Sequence, residues 1–167
     1  MRTVTKPLPA LTAADLMSTT VVTVPETMSL RGAARLLSHA SITGAPVVDH
    51  SGRCVGVLSA TDFLAWTDRG EYAAKRSGTQ LCTAHSAWQV LDEDTIPVDE
   101  VHRFMTADPV KVEPATPVGE LAQMMLDAHI HRVIVVDEHD KPVGIVSSTD
   151  ILAAVVHACK KPVFLHG

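Results

Sequence analysis

The chain has few aromatic residues and no excess of positive charge. Its 167 residues include two tryptophans, one tyrosine and three phenylalanines, so we expect a core of aliphatic side chains. The net charge is −5, which argues against nucleic acid as a partner because binding to phosphates depends on lysine and arginine. Apolar runs extend over roughly six residues, whereas a membrane-spanning helix needs about 20. We therefore expect neither a nucleic acid nor a membrane as partner.

Cysteine is also scarce. The three cysteines, Cys54, Cys82 and Cys159, are an odd number and form no disulfide pattern, which favours a reducing compartment. Residues 1–7 lack the apolar stretch of a signal peptide. The sequence therefore predicts a cytoplasmic protein, with Cys54 unreactive in an apolar strand.

Motifs for metal binding or catalysis are missing as well. Cys82 and His85 form one close pair and His129 and His131 another, but neither belongs to a four-ligand set with the spacing of a zinc site. The sequence contains neither a glycine-rich phosphate loop nor a nucleophile elbow. We expect no metal, no cofactor and no enzymatic activity.

What the chain does contain is an internal repeat. Residues 17–65 align without a gap on residues 105–153, 88 positions later, and 16 of the 49 aligned residues are identical. The repeat includes polar positions that a shared core does not require, and it therefore indicates a duplicated fold with a duplicated polar site. The best-matched segments are Val47-Val48-Asp49 with Val135-Val136-Asp137, and Val55-Gly56-Val57-Leu58-Ser59-Ala60-Thr61-Asp62 with Val143-Gly144-Ile145-Val146-Ser147-Ser148-Thr149-Asp150.

Each copy reads as a short helix, a strand, a longer helix, two strands and a last helix. In the first copy the spacing of apolar residues predicts the longer helix near Leu30–His39. In the second copy the buried stripe is Val118, Leu121, Ala122 and Met125. Runs rich in valine and isoleucine predict paired strands at 46–49 with 54–59, and at 133–137 with 143–147. A brief strand at residues 22–24, ended by a proline, completes the first copy.

Helix-capping residues set the expected helix starts. Thr12 with Asp15 three residues later has the pattern of a capping box. Thr116 is expected to cap the longer helix of the second copy, with Pro117 at its first position. The last helices are expected to begin at residue 61 or 62 and at residue 149 or 150.

These motifs, in order and twice, resemble the cystathionine-β-synthase (CBS) domain in tandem, the arrangement called a Bateman module. The two openings add to the likeness, with Asp15-Leu16-Met17 in one copy and Arg103-Phe104-Met105 in the other. The resemblance implies an α+β fold of two βαββα repeats about a pseudo-two-fold axis. The expected division is an N-terminal tail 1–10, repeat 11–66, linker 67–98, repeat 99–158 and C-terminal tail 159–167.

The resemblance also implies a function. Such modules bind AMP, ADP, ATP or S-adenosylmethionine in clefts between the repeats, commonly dimerise, and regulate an attached or partner protein. We therefore expect a non-catalytic sensor of an adenine nucleotide, forming a homodimer and acting on a separate, unidentified protein. Two alternatives stay open: a pure dimerisation module with vestigial clefts, and an enzyme or metal protein whose motif is not visible.

The repeated Ser-x-x-Asp motif has two interpretations. Ser59 with Asp62, and Ser147 with Asp150, can each form a capping box at the start of a helix. A carboxylate held there can also accept hydrogen bonds from the vicinal hydroxyls of a ribose. The resemblance makes the two aspartates ribose-binding residues, with the serines beside the sugar, and the two roles are compatible.

The expected phosphate contacts differ between the copies. His131 and Arg132 precede the Val-Val strand of the second copy and could hold phosphate oxygens. Thr43 and Gly44, their counterparts in the first copy, carry no charge. The family usually takes ribose and phosphate contacts from opposite copies, which would place Asp62 with the basic pair and make that cleft the tighter one.

The expected adenine slot is the least specific part of the site. Its candidates are apolar or uncharged residues at strand starts and strand edges, and each would serve equally well in an ordinary core. They are Thr20, Val22, Ile42, Val110 and Ile130.

Overall fold

The structure, a computed structural model, describes residues 6–68 and 96–160. Five α-helices and seven strands lie in this part of the chain, together with single 3-10 turns at Leu8–Ala10 and Val101–Arg103. In chain order the elements are α1 (Ala13–Leu16), β1 (Val24–Pro25), α2 (Leu30–His39), β2 (Gly44–Val48), β3 (Cys54–Ser59), α3 (Ala60–Asp68), β4 (Thr106–Ala107), β5 (Lys111–Val112), α4 (Val118–Asp127), β6 (Arg132–Val136), β7 (Pro142–Ser147) and α5 (Ser148–Lys160). The mixed α+β class expected from the sequence is confirmed.

The chain divides into two compact units. The central unit comprises Val22–Pro109, and the terminal unit joins Met1–Val21 to Val110–Gly167. The central unit has a sheet in the order β1-β2-β3-β4, and the terminal unit has a sheet in the order β5-β6-β7. In both sheets a parallel strand precedes an antiparallel hairpin, as βαββα repeats require.

The duplication extends to the irregularities of the backbone. Both hairpins shift register between their last two valines, at Val47/Val48 and at Val135/Val136. Ser41 and His129, 88 positions apart, both have a positive φ just after the longer helix. Such a conformation is uncommon outside glycine, so its recurrence marks a helix ending that both copies share.

Each unit has its own aliphatic core. The apolar stripe predicted for α2 is buried in the central unit, where the aromatic ring of Phe63 is also buried. Ile96, near the end of the expected linker, also belongs to this core, because it is 2% exposed and its carbonyl accepts hydrogen bonds from the Arg31 guanidinium. The terminal core consists of Ala13, Val112, Leu121, Met125, Val133, Val135 and Val146.

The opening of each repeat packs in the unit built mainly from the other repeat. In the terminal unit the Ala13 N–H donates to the Thr116 carbonyl at 2.9 Å, and Ser18 forms a β-bridge with Ile145. In the central unit β4 pairs with β3. The units therefore exchange the segments that begin their sequence repeats.

In each unit, a methionine of the exchanged segment packs against a glycine of the hairpin. The Met17 side chain lies against Gly144, and the Met105 side chain lies against Gly56, again 88 positions apart. A Cβ atom at Gly144 would lie 2.9 Å from the Met17 Cβ, which is too close for two carbon atoms. The repeated methionine and the repeated glycine are thus two sides of one packing contact.

Several expected boundaries were wrong. Helix α4 begins at Val118, and Pro117 is its N-cap with extended dihedral angles and no side-chain cap bond. Thr116 therefore does not cap this helix; its N–H donates to the Glu113 carbonyl in the preceding turn. The last helices begin one residue earlier than expected, at Ala60 and Ser148. The first strand begins at Val24, two residues later than expected, and it ends at Pro25, which a short edge strand tolerates although proline has no N–H donor.

Gly144→Ala should destabilise the protein by about 1–3 kcal/mol, because the added methyl group overpacks the contact with Met17. Gly56→Ala should act in the same direction at Met105. Gly119, at the start of α4, has open space where a Cβ atom would lie, so Gly119→Ala is the matched control and should stabilise by about 0.5–1 kcal/mol. Urea unfolding measures all three, and equal effects at Gly119 and Gly144 would contradict the packing role of the glycine.

Candidate functional site

The first Ser-x-x-Asp motif forms the junction between β3 and α3. The Asp62 Oδ2 atom accepts hydrogen bonds from the Ser59 N–H at 2.7 Å and from the Ser59 hydroxyl at 2.8 Å. Two donors from one residue fix the orientation of the carboxylate. The helix-capping role predicted for this pair is therefore confirmed in the central unit.

The second motif repeats the geometry between β7 and α5. The Asp150 Oδ2 atom accepts from the Ser147 N–H at 2.7 Å and from the Ser147 hydroxyl at 2.6 Å, and the Asp150 N–H donates to the Ser147 hydroxyl oxygen at 3.2 Å. The last bond makes this a reciprocal capping box. In both units the cap occupies Oδ2 of the aspartate.

The Oδ1 atoms of the two aspartates differ. The Thr106 hydroxyl donates to Asp62 Oδ1 at 2.9 Å. Asp150 Oδ1 has no hydrogen-bond partner among residues 6–68 and 96–160. The residue aligned with Thr106 is Ser18, and its backbone exchanges both hydrogen bonds with Ile145. Thr106 was missed in the sequence, although its alignment with Ser18 directly after the repeated methionine was a usable signal.

The expected phosphate residues lie beside the Ser-x-x-Asp motif of their own repeat. Gly44 pairs with Ser59 across the β2–β3 hairpin, and Arg132 pairs with Ser147 across the β6–β7 hairpin. The carbonyls of Thr43 and His131 accept from the N–H groups that follow each motif serine, at 3.0 and 2.9 Å.

The basic pair is open to solvent. His131 and Arg132 are both exposed, whereas Thr43 and Gly44 are half-buried. The expected pairing of Asp62 with His131 and Arg132 joins residues of different units, and it stays a prediction.

The candidates for the adenine slot do not form one cluster within either unit. Ile42 packs against the central core, and Val110 and Ile130 pack against the terminal core. Thr20 is exposed and Val22 is half-buried, and both precede β1. Their role at a ligand stays a prediction.

The aspartates of the two Val-Val-Asp motifs hold turns. The Asp49 Oδ1 atom accepts from the N–H groups of Ser51 and Arg53 and from the Ser51 hydroxyl, at 2.7–3.0 Å. The hydrogen bond from the Ser51 hydroxyl, followed by those from Arg53, holds the Asp49 pKa far below its ordinary value of 3.8. Hydrogen bonds from the Lys141 and His139 N–H groups lower the Asp137 pKa in the same way.

An apolar groove of about 460 Å³ lies between α4 and α5 in the terminal unit. Two leucines on its rim, Leu126 and Leu152, are 69% and 63% exposed. Helix α5 has no fully buried residue, yet Leu152, Val155 and Val156 are spaced along one of its faces. The complete lining is Ala122, Met125, Leu126, His129, Ile130, His131, Ser148, Ile151 and Leu152.

The candidate metal ligands divide between described and undescribed residues. Within residues 6–68 and 96–160, no three histidine, cysteine or acidic side chains come together as a metal site would require. The Cys82 and His85 pair lies outside those ranges. Cys54 is buried in β3, as expected for a residue of an apolar strand. In the same part of the chain, no helix combines the length and apolar character of a membrane span.

Comparison with known proteins identifies the family. The family model of the CBS domain matches residues 13–68 and 98–157, which is more than half of the chain. The chain therefore belongs to the CBS domain family and carries two CBS domains in tandem, as a Bateman module. The resemblance seen in the sequence is confirmed.

A curated relative and two solved structures are similar to this chain. The chloroplastic CBS domain-containing protein CBSX1 of Arabidopsis thaliana is 28% identical over 138 residues, which are 80% of this chain and 58% of CBSX1. The crystal structure of CBSX2 in complex with AMP has a TM-score of 0.67 at 24% identity, covering 89% of this chain and 98% of that one. The CBS domain pair of protein MJ0100, in complex with 5′-methylthioadenosine and S-adenosyl-L-methionine, has a TM-score of 0.66 at 23% identity with the same coverage. These two structures support the fold.

The turn aspartates predict how stability depends on pH. The pKa of Asp49 is lower in the folded chain than in the unfolded chain. The ionised carboxylate therefore contributes fully to the free energy of unfolding above about pH 4, and this contribution is lost as the pH falls through the folded pKa. Asp49→Asn keeps an oxygen acceptor for the turn but removes the charge. The variant should therefore flatten the fall in unfolding free energy between about pH 4 and pH 2.

Ser51→Ala supplies a second, milder variant, because it removes only the largest cause of the Asp49 shift. For this variant, the fall in unfolding free energy per pH unit should lie between that of the wild-type chain and that of Asp49→Asn. Urea unfolding followed at several acidic pH values gives the slopes, and three identical slopes would contradict the role of the Asp49 carboxylate.

Proposed function

We propose that the chain is a non-catalytic regulatory module that binds an adenosyl ligand through the ribose-facing edge of its motif aspartates. The proposal is supported by the repeated aspartate, whose Oδ2 atom is held by the motif serine in each unit. Among the residues that the structure describes, Thr106 donates to Oδ1 of Asp62 and no residue donates to Oδ1 of Asp150. The bound AMP of CBSX2, and the S-adenosylmethionine of MJ0100, support ligands of this class. An adenine nucleotide differs from S-adenosylmethionine in its phosphate, so the residues proposed to contact phosphate would favour one of these two ligands.

The chemistry of an aspartate suits a ribose. An ionised carboxylate only accepts hydrogen bonds, and the vicinal hydroxyls of ribose are two donors at fixed separation. A carboxylate that is already oriented loses little further freedom when the sugar binds. This pre-organisation favours a ribose over an isolated hydroxyl group.

The exposed His131 and Arg132 favour a phosphate-bearing ligand. Arginine presents a planar set of donors that matches phosphate oxygens, and a neighbouring histidine adds another donor. Thr43 and Gly44 offer only uncharged contacts in the other repeat. We therefore propose an adenine nucleotide as the main ligand, with S-adenosylmethionine as the alternative.

A second copy of the chain is the proposed cover for the α4–α5 face. A helix whose apolar stripe contains no buried residue is stabilised when another surface packs on it. A two-fold dimer would bring the same face of both protomers together, so one apolar groove meets the other. This exposed face also favours the second candidate function, a dimerisation module without ligand.

In the regulatory proposal, the ligand stabilises one arrangement of the module, and a separate protein recognises that arrangement. Such a relay requires only that the ligand binds one arrangement more tightly than the other. The partner is unidentified. The cytoplasmic location stays a prediction that rests on the cysteines.

Adding AMP to the full chain should raise its thermal midpoint, because a ligand at 100 times its dissociation constant stabilises the folded state by about 2.7 kcal/mol. The double variant Asp62→Ala/Asp150→Ala should lose this response. Arg132→Ala should weaken AMP binding by about 1.5–3 kcal/mol and leave adenosine unchanged, because the proposed contact with Arg132 lies at the phosphate end of the ligand.

Isothermal titration with AMP, ADP, ATP, S-adenosylmethionine and adenosine checks both expectations. If none of the five compounds produces binding heat, the dimerisation module replaces the sensor as the proposed function. Equal weakening of AMP and adenosine by Arg132→Ala would remove the phosphate role from this residue.

The chain should be a homodimer, and Leu152→Glu should convert it to a monomer near 17.9 kDa, because a buried glutamate on the α5 face has no partner charge. Val98, an equally exposed apolar residue of the central unit at 70%, provides the control Val98→Glu. Light scattering measures the masses. A monomeric wild-type chain, or equal dissociation by both variants, would exclude the α4–α5 interface.

A further inference from the structure

We infer that Thr106 is a specificity-determining residue that restricts ribose binding at Asp62 and leaves Asp150 as the carboxylate able to accept both ribose hydroxyls. The inference rests on the proposed function, since it assumes that the motif aspartates bind a ribose. It adds a residue outside the repeated motif and ranks the two aspartates by their hydrogen-bonding capacity.

The ranking follows from the acceptor positions on each carboxylate. An ionised carboxylate has about four lone-pair positions, two on each oxygen. At both aspartates the cap supplies two donors to Oδ2, so further donors must approach Oδ1. At Asp62, Thr106 already donates to Oδ1, and one position is left. At Asp150 both positions of Oδ1 are left, within the part of the chain that the structure describes.

A vicinal diol needs two acceptor positions for its two hydroxyl donors. Asp150 provides them without any rearrangement. Asp62 provides them only if the Thr106 hydroxyl is displaced, which costs a hydrogen bond to a charged acceptor. Ribose binding at Asp62 is therefore weaker than at Asp150, or is limited to one hydroxyl.

The difference between threonine and serine explains why the aligned residues act differently. The β-branched threonine is stiff about χ1, so backbone pairing of Thr106 with Val57 also fixes its hydroxyl. Ser18 occupies the equivalent bridge to Ile145, but its unbranched side chain is not held against Asp150. A single methyl group thus distinguishes the two sites.

This ranking is opposite to the expectation that Asp62 belongs to the tighter site. That expectation concerned the phosphate end of the ligand, where His131 and Arg132 carry the charge. The acceptor count concerns the sugar end. Adenosine, which has no phosphate, isolates the second effect from the first.

The test is titration of the full chain with adenosine and with 2′-deoxyadenosine, whose sugar lacks one of the two hydroxyls. The wild-type chain should bind adenosine about tenfold or more tightly than the deoxy compound, the factor expected for one hydrogen bond to a charged group. Asp150→Asn should remove this preference, and Asp62→Asn should keep it.

Thr106→Val keeps the shape and strand propensity of the side chain but removes its donor. The variant should gain a second site that prefers adenosine, and the added change Asp62→Asn should remove that gain. Ser18→Thr is the reciprocal variant and should lower the preference at Asp150. Circular dichroism identifies a variant that does not fold, and Thr106→Ala then replaces Thr106→Val.

The outcomes separate the inference from the function on which it rests. If the wild-type chain binds none of the adenosyl compounds, the proposed function fails, and the inference fails with it. If adenosine binds but its preference depends on Asp62 and not on Asp150, the inference alone is overturned. Unchanged stoichiometry and preference in Thr106→Val would overturn it as well.

Discussion

In each repeat, the hydrogen bonds from one serine to one carboxylate oxygen fix the orientation of the motif aspartate, which is the central group of the candidate site. Ser59 and Ser147 each donate through both N–H and hydroxyl to Oδ2 of their aspartate, at 2.6–2.8 Å. This cap lies at the start of the helix and does not use Oδ1. Helix capping and the proposed ribose binding would therefore use different oxygens of the same side chain, so neither interpretation of the motif excludes the other.

The second constraint is the packing of methionine on glycine. Met17 contacts Gly144, and Met105 contacts Gly56, so each exchanged opening is fixed to the hairpin of its unit. The same exchange places Thr106 beside Asp62. Assembly of the unit and the capacity of its aspartate for hydrogen bonds thus depend on one short segment.

Local patterns in the sequence predicted local structure well. The apolar spacing predicted the bounds of α2, Leu30–His39, and the repeated serine and aspartate predicted the caps. Contacts between distant segments were not predicted, because the spacing of residues along a chain does not show which distant segments pair. Thr106, 44 positions from Asp62, and Ile96, buried beside α2, were found only in the folded chain. Pro117 was misplaced because proline fits both the N-cap and the first helical position.

The most direct test of the account is the response of the two aspartate carboxyl groups to adenosine, followed by nuclear magnetic resonance with carboxyl-labelled aspartate. The account predicts that the Asp150 carboxyl resonance shifts at lower adenosine concentration than the Asp62 resonance, while the turn residues Asp49 and Asp137 do not respond. Binding of adenosine with no change at either Asp62 or Asp150 would contradict the account, because the ligand would then occupy a site that does not involve the capped carboxylates.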